Sequence, residues 1–180
     1  MADQALKSGY GRSIIIIGGA EQLQDSDFEI VQLSVGGNTA KVGDAVTYAS
    51  ETAPAVDLLA SGEKIAGIIV APVLRPSDSW DVDDALVDGT WVKILKPTGG
   101  RVKILARISG DSGGTALAAG VGISTINTGL TIGAASGAGH LFAGGTLGLG
   151  SDIPNARLVS GETLGDATSA AAGKFLPIYF

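Results

Sequence analysis

Residues 91 to 109, "WVKILKPTGGRVKILARIS", constrain the fold more than any other stretch of this chain. Val92-Lys93-Ile94-Leu95 recurs further on as Val102-Lys103-Ile104-Leu105, with Lys96-Pro97-Thr98-Gly99-Gly100-Arg101 between the two runs. Apolar and charged residues that alternate with a period of two occupy opposite faces of a strand, and a Pro/Gly break between two such runs reads as a β-hairpin. The pattern turns Ile94, Val102, Ile104, Ala106 and Ile108 toward a core. It turns Lys93, Arg101, Lys103 and Arg107 toward solvent or an acidic partner, where exposed cations also guard a sheet edge against aggregation.

The flanking segments carry the same signature. "FEIVQLSV" (28 to 35) alternates with a phase slip at Ile30-Val31, which predicts a bulge, and Gly36-Gly37-Asn38 predicts a turn. "AKVGDAVTYAS" (40 to 50) reads as a Gly-Asp turn leading into a strand, and "EKIAGIIVAPV" (63 to 73) as an apolar strand ended by Pro72. After residue 109 the chain is rich in Gly, Ala, Ser and Thr, with spaced Leu, Ile and Val that predict short strands and tight turns. "ARLVSGETLG" and "GKFLPIYF" restore strand patterning, so the C-terminus is expected to return to the core sheet. The expected fold is mainly β: a small SH3-like β-barrel or β-sandwich core (28–110), an extended N-terminal arm (1–27), and a Gly/Ala-rich β extension (111–180).

The arm contains Ile14-Ile15-Ile16-Ile17 closed by Gly18-Gly19. Four β-branched residues in a row form a strand that is buried or paired, since left open it would aggregate. Two readings stand side by side: the first strand of the chain's own sheet, or a strand that docks on a neighbouring subunit by strand addition.

Composition narrows the function classes. With 180 residues, 45% hydrophobic and 17% charged, the chain can bury one core with extensions. Its 28 glycines are about twice the usual share, which favours turns and short strands over long ion-paired helices. A net charge of −6 argues against a nucleic-acid partner. The absence of cysteine removes disulfides, thiolate zinc sites and thiol nucleophiles. The opening residues lack a secretory pattern and no run approaches the ~20 apolar residues of a membrane span, so a soluble protein without a membrane partner is expected.

Candidate chemistry is thin. Gly110-Asp111-Ser112-Gly113-Gly114 looks like the nucleophile signature of trypsin-like proteases, and "IIGG" at 16 to 19 like their activated N-terminus. The base is missing: the single histidine, His140, follows the serine in an unrelated setting, whereas a triad needs base, orienter and nucleophile together. Ser112 therefore reads as a turn residue. Asp78, Asp81, Asp83, Asp84 and Asp88 crowd one segment but lack the Asx, Gly and Glu positions of an EF-hand, and predict a short helix capped by Asp81 or Asp83. Trp80 and Trp91 flank that segment as core or interface anchors. No phosphate-binding glycine motif occurs and one histidine cannot build a zinc site, so no cofactor, metal or catalytic residue is assigned and an enzyme is not expected.

"AKVGDAVTYAS" followed by "GEKIAGIIVAP", and then "DGTWVKILKPTGGRVKILARIS", resemble the head decoration, or capsid cement, proteins of tailed phages over about residues 38 to 110. The resemblance implies a β-barrel unit on the outside of an icosahedral capsid, made in the host cytoplasm, commonly a homotrimer, with the major capsid protein as partner. Under it, Ile14, Ile15, Ile16, Ile17, Trp80 and Trp91 are candidate capsid or subunit contacts. A virion fibre, spike or tail component, or a β-rich adhesion module, is the alternative; a serine hydrolase using Ser112 is a remote one.

Overall fold

The computed structural model describes residues 15–50, 53–60, 62–73, 80–110, 116–125, 139–143, 153–163 and 174–180. Five strands close a barrel: β2 (Phe28–Leu33), β3 (Ala45–Tyr48), β4 (Ala55–Leu58), β5 (Gly67–Pro72) and β6 (Trp91–Leu95), in the order β2-β4-β3-β5-β6 with β6 returning to β2. Valine and isoleucine dominate the inward positions, where Val31, Val46, Val56, Ile68 and Val92 are fully buried. Every residue of β5 is buried, because this strand sits where the barrel meets the rest of the chain.

A second sheet is built around β7 (Lys103–Gly110). It joins β1 (Ile16–Gly18), β9 (Ile123–Ser124), β10 (Leu141–Ala143), β11 (Arg157–Leu158) and β13 (Lys174–Tyr179), and runs β11-β13-β7-β10-β9, with β1 also on β7. β8 (Ala116–Leu117) and β12 (Glu162–Thr163) form a separate pair. Ile104, Ala106 and Ile108 of β7 share one apolar cluster with Val31, Ile68 and Ile94 of the barrel, so the two sheets stabilise each other. The chain is thus a mainly β fold with a closed barrel and a second sheet, and β13 returns to β7 in antiparallel register as its patterning predicts. Among the described residues no helix is long and apolar enough to cross a membrane.

Four expectations are corrected. The two halves of the repeat do not form a hairpin: β6 pairs with β2 and β5 in the barrel, while β7 pairs with β13, β10 and β1. Alternation fixes which face of a strand is buried but not which strand lies beside it. Here Gly99 and Gly100, both at positive φ, turn the chain out of the barrel. The cations do not guard an edge either, because both strands are flanked on two sides. The bulge expected at Ile30-Val31 is absent; β2 stays in register with β6, and the irregularity lies in β5 between Ile69 and Ala71. Continuous register turns Ile30 outward at 41% exposure, a position alternation alone had not assigned. Residues 80 to 90 hold turns instead of a helix, since Asp81, Asp83 and Asp84 bond one another's backbone and so compete with helix formation.

Candidate functional site

Two features carry chemistry or contact potential. The first is the outer wall of β2 and β6. Val31 and Val92 point into the barrel, so Phe28, Ile30 and Gln32 on β2 and Trp91 and Lys93 on β6 point out. Gln32 lies opposite Trp91 and Ile30 opposite Lys93, which makes Ile30 and Trp91 diagonal neighbours within reach of each other. They are 41% and 44% exposed. The wall is ordered by its polar rim: Gln32 Nε2 donates to the Gly89 carbonyl at 3.0 Å, and Lys93 Nζ lies 4.0 Å from the centre of the Phe28 ring. Burial of its stem pulls the Lys93 ammonium below its ordinary pKa.

The second feature is a buried charged joint between barrel and second sheet. Lys41 to Asp44 form a tight turn in which the Lys41 N–H donates to Asp44 Oδ2 at 2.7 Å and the Asp44 N–H to the Lys41 carbonyl at 3.1 Å. Gly43 stands at φ +91 and ties the two sheets: its N–H donates to the Ile69 carbonyl at 2.9 Å, and its carbonyl accepts the Arg107 N–H at 3.0 Å. Arg107 is buried, contrary to an exposed cation, and its acidic partners lie within the chain. Nε sits 3.6 Å from Asp44 Oδ1 and donates to the Val42 carbonyl at 3.2 Å; Nη2 donates to Asp83 Oδ1 at 2.8 Å and to the Val82 carbonyl at 3.2 Å. The guanidinium lies 4.3 Å from the Phe175 ring. Asp44 Oδ1 accepts no hydrogen bond, and His140 is buried close by, next to Gly139, whose carbonyl accepts the Ala45 N–H.

The joint perturbs its own titration. Burial raises the Asp44 carboxyl from 3.8 to about 7, against the lowering pull of the Lys41 N–H, Arg107 and Lys41. Burial, and then Arg107, lowers His140 from 6.5 to about 4. The hydrogen bond from Arg107 holds the exposed Asp83 below its ordinary value. A raised acid holds in the fold a proton that the unfolded chain releases, so the Asp44 contribution is fully present below about pH 4 and is lost as pH rises to about 7. A depressed histidine acts oppositely: its contribution is present above pH 6.5 and is lost as pH falls toward 4. Wild-type urea midpoints should therefore stay flat between about pH 4 and 6.5, falling with rising pH in His140→Phe and rising with pH in Asp44→Asn. Parallel slopes in all three proteins would refute this coupling.

The sequence-derived contact residues are scattered. Ile14 and Ser112 lie outside the described residues, as do Asp78 and Asp111 to Gly114. Ile15 is 1% exposed inside the chain's own core, and Ile16 pairs with Ile104 of β7. Among the described residues of this run, Ile15 to Ile17, only Ile17, at 49%, offers a large apolar surface outward. Trp80 packs half-buried against the core, while Trp91 stands on the barrel wall. Sequence reasoning missed Ile30, and it missed the joint of Asp44, Arg107 and His140, whose members lie far apart along the chain. A recess of about 380 Å³ between 62–65, Pro97, Thr125 and 153–154 gathers little chemistry, its Glu63 carboxylate accepting the Ala60 N–H. Among the described residues no group of three His, Asp or Glu side chains is gathered for a metal. No protein-family model matches the chain, and no curated protein matches it significantly.

Proposed function

We propose that this chain is a structural virion protein that binds the outside of an icosahedral phage capsid, associates with copies of itself as a trimer, and cements neighbouring major capsid subunits. The observation that carries the reading is the exposed pair Ile30 and Trp91 on the barrel wall. Large apolar side chains fixed on a rigid sheet stay solvated in the free protein, and covering each adds about 1.5–3 kcal/mol to binding. The resemblance of residues 38 to 110 to capsid cement proteins points the same way. A cement protein needs such wall contacts repeated by symmetry, and acts by binding the assembled shell better than its parts. In this reading the buried charges of the joint serve the fold and the chain performs no chemistry.

The test is an Ile30→Ser/Trp91→Ala variant. Both positions are outward, so the fold should persist, and co-sedimentation with purified heads lacking the protein should show binding about tenfold weaker or worse. Binding equal to wild type would sink this assignment of the contact wall. Heads that fail to bind the wild-type protein at all would sink the cement reading.

A further inference from the structure

Several described cations are engaged inside the chain. Arg101 meets Asp27 at 3.0 Å, Arg107 meets Asp83 and Asp44, and Lys93 lies over Phe28. Lys103 and Arg157 differ in lacking a described carboxylate, although Arg157 Nη1 donates to the Asn155 carbonyl at 2.9 Å. Strand register places Lys103 of β7, Tyr179 of β13 and Arg157 of β11 in one row across three adjacent strands. The Lys103 ammonium lies 5.2 Å, and the Arg157 guanidinium 4.2 Å, from the centre of the Tyr179 ring. The row faces away from the core, since Val102, Ile104, Leu158, Ile178 and Phe180 beside it are buried. Among the described residues neither cation has a carboxylate partner. Two cations sharing one ring are each attracted to its face yet repel each other, so among the described residues the row is a positive site with no carboxylate on it, on a chain of net charge −6.

The chain itself carries the complement. Asp81, Asp83, Asp84 and Asp88 are exposed on the loop before β6, with Val87 57% exposed among them. Their carboxylates are held in place: Asp84 Oδ2 accepts the Asp81 N–H at 2.6 Å, Asp81 Oδ1 the Asp83 N–H at 3.1 Å, and Asp88 Oδ1 the Gly36 N–H at 3.2 Å. Fixed acceptors lose little side-chain entropy on docking. Lys103 and Arg157 stand two strand spacings apart, about 10 Å, a span that two carboxylates of one loop can match. Within one copy, Asp83 anchors the loop to Arg107, about 13 Å along β7 from Lys103 at strand rise, which holds it off the row.

We infer that the Lys103–Tyr179–Arg157 row docks the Asp81–Asp88 loop of a second copy of this chain. This inference rests on the self-association proposed above and assigns the surfaces that meet. Such a contact is electrostatic and weakens with salt, because screening shortens from about 10 Å at 0.1 M to about 3 Å at 1 M.

Sedimentation velocity on the whole protein tests it, with a face variant, Lys103→Glu/Arg157→Glu, and a loop variant, Asp84→Asn/Val87→Lys/Asp88→Asn, which keeps the backbone acceptors. Each alone should weaken self-association about tenfold in Kd at low salt, and an equimolar mixture should associate more tightly than either variant alone, short of wild type because a ring of three cannot alternate two variants. Circular dichroism and urea midpoints establish that each variant folds; should the reversal fail to fold, Lys103→Gln/Arg157→Gln gives the same reading with a smaller loss. Wild-type-like association of both variants would overturn this contact while leaving self-association intact. A mixture that associates no more tightly than either variant alone would overturn the pairing of row with loop. A wild-type protein that stays monomeric throughout would overturn this contact and the proposed self-association together.

Discussion

Arg107→Met should destabilise the fold by about 3–5 kcal/mol above about pH 7, and by much less at acidic pH. The arginine is buried and answers two carboxylates, two backbone carbonyls and the Phe175 ring. Methionine fills a similar volume, so the loss is chiefly electrostatic: Asp44 is left buried beside an apolar side chain. Below its raised pKa, Asp44 is neutral and this cost largely vanishes. Removing Arg107 also removes a lowering influence on Asp44, so the loss of the Asp44 contribution with rising pH, complete by about pH 7 in wild type, extends to higher pH. Urea unfolding across pH measures this directly. A pH-independent loss would mean that Arg107 acts through packing alone, and the double variant Arg107→Met/Asp44→Asn should recover most of the loss at high pH.

Gly43→Ala should cost about 3 kcal/mol or more, from two sources that act on one atom. At φ +91 any side chain is strained, and the new Cβ would stand 2.5 Å from Cε1 and 2.9 Å from Cζ of Phe175. That ring cannot simply swing aside, because Arg107 stacks on it and Arg107 is itself fixed. Gly36→Ala provides the contrast: φ is +60 there but nothing lies within 4 Å, so it should lose only about 1 kcal/mol of backbone strain. Phe175→Leu in the Gly43→Ala background should recover part of the loss by removing the clash. Equal urea midpoints for the Gly36 and Gly43 variants would show that the close approach of barrel and second sheet at Gly43 carries no weight.

These effects converge on residues whose importance was only partly legible. The Gly43-Asp44 turn was readable because its conformation is local: glycine supplies positive φ, and aspartate bonds a backbone two or three residues away. The strand at 67 to 72 and the return of the C-terminus were readable because β-branched runs have few other uses. Arg107 was read as facing solvent or an acidic partner, and its burial against acidic partners of the same chain was hidden for a non-local reason. Its strand alternates as an exposed face would, and the barrel residues that cover that face lie more than sixty positions earlier. Ile30 was hidden in a similar way, since a local pattern invited a bulge that the partner strand β6 does not allow.

By itself the sequence determined that this chain is mainly β, where most of its strands lie and which residues form its core, because period-two alternation and turn chemistry act over a few residues. Tertiary structure alone decided that the two copies of the Val-Lys-Ile-Leu run belong to different sheets, that Ile15 is buried in the chain's own core, and that a charged triad of Arg107, Asp44 and Asp83 joins the barrel to the second sheet. Strand partners are chosen by the burial of whole faces and by long-range closure of the chain, quantities that no short window of sequence contains.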